Sequence, residues 1–253
     1  MNKSNTSKFT AYIMLILSYF FGIASMLVWL IFLFRGSLNL TDLKMEEITR
    51  LVLNTCLCLI FFIQHSSMTR NSFHRWLAKH IRHQYHGALF TISSGVSLLI
   101  LVLFWQESVY TLMAPRGILR WLLRAAFFLA IAGFYWSTRA LGSLDAFGVK
   151  PILNNLRGKD PLPPISFTVR GPYRWVRHPF YSFSLLMIWS CPDLTADRLL
   201  FNFLWTVWII LGTVLEERDL VASFGDAYLE YQRRVPMLVP YNIRPARQKS
   251  TNP

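Results

Sequence analysis

Side chains able to bind a small polar ligand concentrate in two short segments near the end of the chain. The first is dense in arginines, a histidine and aromatic rings and reads Val169-Arg170-Gly171-Pro172-Tyr173-Arg174-Trp175-Val176-Arg177-His178-Pro179-Phe180-Tyr181. The second is acidic and reads Glu216-Glu217-Arg218-Asp219. Guanidinium groups suit carboxylates, and carboxylates accept hydrogen bonds from hydroxyl and ammonium groups. Together the segments predict a site for a zwitterionic ligand that carries its own carboxylate and hydroxyls.

The chain between these segments predicts that they meet. Two apolar runs, 180–191 and 199–215, are joined by a short polar turn. A hairpin of two such arms returns the chain to the membrane face from which it started. Ionisable groups at a membrane boundary are costly unless they are paired or functional. We therefore expect the basic and acidic segments to lie close together at the cytoplasmic boundary.

The composition is that of a membrane protein. Of 253 residues, 53% are hydrophobic and 15% charged, against roughly 45–50% and 25% in soluble domains. A net charge of +13 is also typical of nucleic-acid-binding proteins, but the 20 Phe, the 9 Trp and a mean hydropathy of +0.35 indicate lipid as the solvent. We expect an integral membrane protein in contact with membrane lipid and without a nucleic-acid partner.

The apolar runs predict an all-α, polytopic fold with five or six transmembrane helices, ending in a helical hairpin and an interfacial helix. The runs cover 9–34, 48–63, 88–105, 118–137, 180–191 and 199–215. The fifth is shorter than the roughly 20 residues that a spanning helix needs, so its crossing stays open. Spacings of three and four residues among Leu220, Phe224, Tyr228 and Tyr231 predict an amphipathic interfacial helix from 217 to 231.

The charge distribution predicts the orientation. With a cytoplasmic N-terminus and six spans, most of the 26 Lys and Arg residues lie on the inner side. The outer loops then hold Arg35, Lys44, Arg50, Arg116 and Arg198. This asymmetry follows the positive-inside rule and indicates cytoplasmic N- and C-termini in a bacterial inner membrane. We expect one domain over residues 1–240, with its cofactor-binding part at about 166–240, and a flexible tail at 241–253.

Cysteine and histidine spacings favour no metal centre. Cys56, Cys58 and Cys191 are odd in number and lie in or beside apolar runs, so they predict no disulfide framework. The histidines after the second run lie in a basic stretch whose spacing fits no closed metal site, which favours an interfacial helix there. They are His74, His80, His83 and His86.

The C-terminal motifs resemble those of the membrane methyltransferase superfamily, which includes isoprenylcysteine carboxyl methyltransferases and phospholipid N-methyltransferases. They are the Gly171–Tyr181 stretch quoted above, Glu216-Glu217, Phe224-Gly225-x-x-Tyr228-x-x-Tyr231, and Val235-Pro236. The chain is most similar to bacterial methanethiol S-methyltransferases, with which it shares further motifs. These are Gln64-His65-Ser66, Asp145-x-Phe147-Gly148, and the ending from Leu215 through Val235-Pro236-Met237-Leu238. The likeness covers about 54–240.

The resemblance implies methyl transfer from S-adenosyl-L-methionine to a small or lipidic acceptor, with a thiol (methanethiol to dimethyl sulfide) as the best match. The cofactor-binding residues that it implies are Tyr173, Arg174, Arg177, His178, Pro179, Tyr181, Glu216 and Glu217. His65 is placed to take the thiol proton near neutral pH, and Asp145 either contacts the substrate or orients an arginine. No G-x-G-x-x-G loop follows a strand, which disfavours a Rossmann-type enzyme.

Two alternatives stay open on the sequence. NADPH-dependent sterol reductases share a similar ending but carry Asn before the tyrosine that follows His-Pro, where this chain has Phe180. A non-catalytic membrane factor is the other alternative. The methanethiol enzymes have a Glu-Arg pair before the third span, whereas this chain reads His83-Gln84-Tyr85-His86-Gly87. That departure implies a different acceptor or a lost activity.

Overall fold

A computed structural model describes residues 3–142, 145–159 and 167–241 of the chain, and these residues are almost entirely helical. The helices are α1 (Lys3–Arg35), α2 (Glu47–Met68), α3 (Asn71–Ala78), α4 (His86–Phe104), α5 (Gly117–Leu141), α6 (Lys150–Leu156), α7 (Pro179–Trp189), α8 (Ala196–Phe224) and α9 (Asp226–Arg234). Short 3-10 turns occupy His83–Tyr85 and Gly171–Arg174, and strands β1 (Thr111–Met113) and β2 (Leu194–Thr195) form a two-stranded sheet. The all-α prediction is confirmed.

Among the described residues, five helical segments are long and apolar enough to cross a membrane, which makes this chain a multi-pass membrane protein. They are Lys8–Arg35, Glu47–Met68, His83–Phe104, Gly117–Leu141 and Ala196–Phe224. Helix α7, in the fifth apolar run, has only 11 residues, as the short run predicts. The prediction of five or six spans is therefore confirmed, with α7 as the short element.

The described chain divides into two compact units. Unit 1 takes its described residues from Met1–Tyr110, Asp145–Pro164 and Thr195–Phe201, and unit 2 from Thr111–Leu144, Ile165–Leu194 and Asn202–Pro253. One functional domain over residues 1–240 stays a prediction. The tail expected at 241–253 lies, from residue 242 onward, outside the described residues.

In unit 1, helix α4 packs against α1 and α2. Small residues allow the close approach to α1, because a Cβ added at Gly95 would lie 2.8 Å from the carbonyl oxygen of Phe21. Helix association in lipid depends on such packing, since lipid tails are as apolar as the side chains.

A buried arginine closes the end of α1. The sequence places Arg198 in an outer loop, but it lies within α8 and is only 2% exposed. Its guanidinium donates to the carbonyls of Phe32 (3.2 Å) and Leu33 (2.9 Å) near the end of α1. A cation there adds hydrogen bonds to carbonyls of the last helical turn, where the Phe32 carbonyl also accepts the Gly36 N–H at 2.9 Å, and it complements the helix dipole. These hydrogen bonds offset the desolvation cost of burying the Arg198 guanidinium in unit 1.

Unit 2 contains the two segments that the sequence singled out. Helix α5 packs against α7 and against the Gly171–Arg174 turn. The interfacial helix differs from the predicted span of 217–231, because α8 continues to Phe224 and α9 begins separately at Asp226. Gly225 between them has φ +54°, a left-handed conformation that ends an α-helix and that glycine adopts without strain.

Candidate functional site

The centre of the site in unit 2 is the carboxylate of Glu217 on α8. Arg177 donates to it through Nε (3.0 Å) and Nη2 (2.7 Å). His178 Nε2 lies 2.5 Å from Oε1, and the Tyr228 hydroxyl donates to the same oxygen at 2.7 Å. Gln232 Nε2 donates to Oε2 at 2.5 Å. The basic and acidic segments thus meet as predicted, and the acceptor capacity of Glu217 is filled from within the protein.

The chain after α9 holds the Arg-His turn in place through its backbone. The backbone N–H groups of Arg177 and His178 donate to the carbonyls of Pro236 (2.9 Å) and Met237 (3.1 Å). Arg177 Nη1 also donates to the carbonyl of Gln232 at 3.1 Å. Pro179 starts α7, at a helix position where proline's fixed φ and missing N–H cost nothing. The site is therefore built on backbone contacts as well as on charge.

Glu216 contrasts with its neighbour. Its side chain is 44% exposed, and its Oε2 accepts a hydrogen bond from the Tyr181 hydroxyl at 2.7 Å. The same oxygen lies 3.9 Å from His178 Nδ1. Tyr181 stacks on His178, with ring centroids 5.6 Å apart at 19°. A carboxylate can accept about four hydrogen bonds. Glu216 can therefore still accept hydrogen bonds from a ligand, whereas the acceptor positions of Glu217 are already filled.

Buried tyrosines surround the carboxylates as protonated donors. Burial, and next the charge of Glu216, raises the pKa of Tyr173. Burial and the hydrogen bond to Glu217 raise the pKa of Tyr228. Burial also raises the pKa of Tyr231, whose hydroxyl donates to the carbonyl of Tyr173 at 2.6 Å. These hydroxyls therefore stay neutral well above physiological pH and can donate hydrogen bonds.

A cavity of about 460 Å³ opens on one face of α8 beside this network. Small-molecule sites commonly enclose about 300–1,000 Å³. The lining residues on α8 recur at helical spacing, and two more come from α9 and the segment after it: Val214, Glu217, Arg218, Val221, Gln232 and Met237. The exposed Arg218 supplies a guanidinium at this wall, next to apolar surface.

Two predicted catalytic residues lie in unit 1. The ring of His65, on α2, is 5.4 Å from that of Phe61 and 4.9 Å from that of Phe90. The Asp145 carboxylate accepts the backbone N–H groups of Val149 (3.1 Å) and Lys150 (2.9 Å) and so holds the start of α6. Catalytic roles for His65 and Asp145 stay predictions. Unit 2 holds the other predicted residues, with Arg174 half-buried in the Gly171–Arg174 turn.

Sequence reasoning missed two members of the network. The sequence places Tyr228 in an apolar stripe and in the C-terminal motif but gives it no role in the site, and it gives Gln232 none either; both donate hydrogen bonds to Glu217. Their spacing of four residues places them on one face of α9. A four-residue spacing of Tyr228 and Gln232 shortly after the Glu216-Glu217 pair was the sequence pattern from which their contact with Glu217 could have been predicted.

The fold and the site together define a class: polytopic helical membrane proteins in which an Arg-His-Pro turn closes on a Glu-Glu pair. Comparison with known proteins narrows this class. A methanethiol S-methyltransferase of Pseudomonas sp. (strain GM41) is 37% identical over 192 residues, 75% of this chain and 73% of the relative. One from Mycobacterium tuberculosis is 34% identical over 196 residues, 76% and 79% of the two chains. The chain belongs to the methanethiol S-methyltransferase family.

The chain is also similar, at lower identity, to a protein whose name states no enzymatic activity. Nurim of Rattus norvegicus is 25% identical over 179 residues, 65% of this chain and 66% of that protein. No family model matches the chain, and no solved structure matches it either.

Proposed function

We propose that the protein is an S-adenosyl-L-methionine-dependent methyltransferase that converts a small thiol, methanethiol, to its methyl thioether, dimethyl sulfide. The half-exposed Glu216 carboxylate, presented by Tyr181 beside a Glu217 that is already saturated, carries this proposal. The names of the relatives support methyl transfer to a thiol. We place the reaction at the cytoplasmic face of a bacterial inner membrane, with both termini in the cytoplasm and lipid around the spans.

The residues of unit 2 fit the proposed cofactor. S-adenosylmethionine, when bound, supplies a methyl group activated on a sulfonium, and it carries a carboxylate, an ammonium and ribose hydroxyls. Glu216 would accept hydrogen bonds from hydroxyl or ammonium groups, and Arg174 and Arg218 would pair with a carboxylate. Tyr173 and Tyr181 would line the same site with their rings and hydroxyls.

The contacts divide the predicted site residues into two groups. Arg177, His178 and Glu217 use their polar atoms on one another and on carbonyls, so we propose that they position the site. Pro179 fixes the turn that carries His178. Glu216 has capacity left for a ligand, so we propose that it binds the cofactor directly.

Methyl transfer to a thiol sulfur requires little acid–base catalysis by the protein. The enzyme must orient the acceptor for in-line attack, exclude water and remove one thiol proton. We propose that a ring nitrogen of His65 takes this proton, because a neutral imidazole carries one acceptor nitrogen. Asp145 would act by shaping the start of α6 near the substrate.

The test uses the full-length protein in detergent with methyl-labelled S-adenosylmethionine. The acceptor panel contains methanethiol, a prenylcysteine and phosphatidylethanolamine. We expect label in dimethyl sulfide and a cofactor-induced rise in melting temperature. Absence of both label transfer and a thermal shift would refute the proposal. His65→Ala should lower turnover with little change in cofactor affinity.

A further inference from the structure

The segment that joins α2 to α4 in unit 1 is strongly basic. It covers residues 69–85 and contains four Lys and Arg residues, three His and no Asp or Glu. No acidic residue occurs anywhere between Glu47 and Glu107. Helices α2 and α4 pack against each other, and both belong to segments long enough to span a membrane. The chain that connects their ends therefore lies at one surface of the membrane.

Helix α3, within this segment, is held on unit 1 by one apolar side. Leu77 is buried, and Ile81 packs against a core cluster that includes Tyr85 and Ile152. The backbone N–H of Ile81 donates to the carbonyl of Leu77 at 2.8 Å, so a helical turn continues past the end of α3. These contacts fix which side of α3 faces the protein and which side faces outward.

The outward side of α3 carries two cations. Arg75 and Lys79 are exposed, and their spacing of four residues puts them on one side of the helix. Arg75 lies about 200° around the helix axis from the buried Leu77. Within the described chain, neither Arg75 nor Lys79 forms an ion pair with Asp or Glu. Like charges at this spacing repel each other, so an anion from outside the protein would stabilise both.

A tryptophan lies beside these cations. Trp76 is 54% exposed, and its ring centroid is 5.5 Å from that of Phe73 and 5.1 Å from that of His80. His80 Nδ1 also lies 3.1 Å from the carbonyl oxygen of Trp76. The indole is thus supported by its neighbours and still open to the surroundings. Tryptophan at a membrane surface commonly lies at the level of the lipid headgroups, because its ring is apolar and its N–H is polar.

These features match a bilayer surface that contains anionic phospholipid. Guanidinium and ammonium groups donate charge-assisted hydrogen bonds to phosphate oxygens. Clusters of four to eight Lys and Arg next to the cytoplasmic end of a spanning helix are typical of segments that bind anionic lipid, and the proposed orientation puts residues 69–85 at that end. The positive-inside rule explains the basic residues, but it does not explain an exposed Trp76 beside them. An acidic protein would match the charge, but lipid is the anion adjacent to this segment.

We propose that the outward side of α3 is a binding surface for anionic phospholipid. We name it the α3 lipid surface and define it by Arg75, Trp76 and Lys79. The two cations bind lipid phosphates, and the indole lies between the headgroups and the acyl chains. The proposal concerns unit 1 and its attachment to the bilayer, and it does not depend on the reaction that the protein catalyses.

The test uses the full-length protein in a zwitterionic detergent and follows its melting temperature as dioctanoyl phosphatidylglycerol is added. A ligand that binds the native state raises the melting temperature with its concentration, which gives an apparent dissociation constant. Each Lys or Arg near an anionic surface contributes roughly a fivefold gain in affinity. Arg75→Gln/Lys79→Gln should therefore bind this lipid about twenty- to thirtyfold more weakly than wild type, and each single variant about fivefold more weakly. Because both side chains are exposed, the lipid-free variants should melt with wild type.

Arg35→Gln/Lys44→Gln is the matched control. It removes the same charge from two exposed residues of unit 1 at and after the end of α1, where Asp42 and Glu46 are nearby in sequence. Its affinity for phosphatidylglycerol should equal that of wild type. Trp76→Ala should weaken binding of dioctanoyl phosphatidylglycerol and of the matching phosphatidylcholine alike, because an indole in the headgroup layer does not select lipid charge.

Several results would overturn the proposal. The first is wild-type affinity for phosphatidylglycerol in Arg75→Gln/Lys79→Gln and in both single variants, or an equal loss in the Arg35→Gln/Lys44→Gln control. The second is equal affinity of the wild type for phosphatidylglycerol and phosphatidylcholine. Stabilisation by glycerol phosphate as large as that by phosphatidylglycerol would indicate a site for free phosphate instead of lipid. Stabilisation by polyglutamate and not by phosphatidylglycerol would indicate an acidic protein as the partner.

Discussion

Two adjacent glutamates on α8 should respond to the same substitution in opposite ways. Glu217 and Arg177 have side chains only 10% exposed, and Glu217 accepts hydrogen bonds from Arg177, His178, Tyr228 and Gln232. Glu217→Gln removes the charge that compensates Arg177 and turns an NH2 group toward donors. We therefore expect this variant to lose stability first and cofactor affinity only as a consequence.

The size of the loss follows from the burial of the pair. Removing one partner of a buried ion pair costs about 3–5 kcal/mol. In a chain of this size, 1 kcal/mol moves the melting temperature by about 2–4 °C. Glu217→Gln should therefore melt about 6–20 °C below wild type. Because part of this cost is the uncompensated charge on Arg177, the double variant Arg177→Met/Glu217→Gln should be less destabilised than the sum of the single variants.

Glu216→Gln is the matched control on the same helix. Its side chain is 44% exposed, and the Tyr181 hydroxyl bonds it at 2.7 Å. An exposed group of this kind contributes at most about 1 kcal/mol to stability. The melting temperature of Glu216→Gln should therefore lie less than about 4 °C below that of wild type. The dissociation constant for S-adenosylmethionine should rise about tenfold, as for a lost charge-assisted hydrogen bond.

The assay is thermal unfolding of detergent-solubilised protein followed by tryptophan fluorescence, combined with calorimetric titration of the cofactor below the melting temperature. The expected pattern is a low melting temperature for Glu217→Gln and weak binding for Glu216→Gln. The division of roles between the two carboxylates is wrong if Glu217→Gln has the melting temperature of wild type. It is also wrong if Glu216→Gln binds the cofactor with wild-type affinity.

Two further predictions concern the packing and the ion pairs of unit 2. The bidentate hydrogen bonds from Arg120 (2.8 and 2.7 Å) lower the pKa of Asp193 below its ordinary 3.8. This pair therefore contributes its full stabilisation above pH 3.8 and loses it as the pH falls through the lowered pKa of Asp193. In paired thermal melts, Asp193→Asn should melt below wild type at pH 6, and the difference should shrink as the pH falls below 3.8. Gly133→Ala should cost about 1–3 kcal/mol, because its Cβ would lie 2.2 Å from the Phe183 ring. A Cβ added at Gly212 would meet nothing within 4 Å, so Gly212→Ala should unfold at the same denaturant concentration as wild type. Both variants are measured by denaturant titration, and equal loss of stability in the two would refute the α5–α7 packing.

Local patterns predicted much of the fold because the bilayer imposes simple rules. A span must be long, apolar and helical, so hydropathy located five spanning helices and the short α7. The break at Gly225 was not predicted, since the apolar stripe continues across it at helical spacing. Only the left-handed backbone there, with φ +54°, separates α9 from α8.

The sequence by itself determined which residues meet. A hairpin returns to its own face of the membrane, so Arg177 and His178 had to approach Glu216 and Glu217, and the structure confirms the contact between Arg177 and Glu217. What only the tertiary structure decided is how the two carboxylates divide their work. Four side chains converge on Glu217 and fill its lone pairs, whereas Glu216, one residue earlier on α8, points toward Tyr181 and stays half exposed. The physical reason is geometric: consecutive residues of a helix face directions about 100° apart, and neighbours along the chain therefore meet different partners.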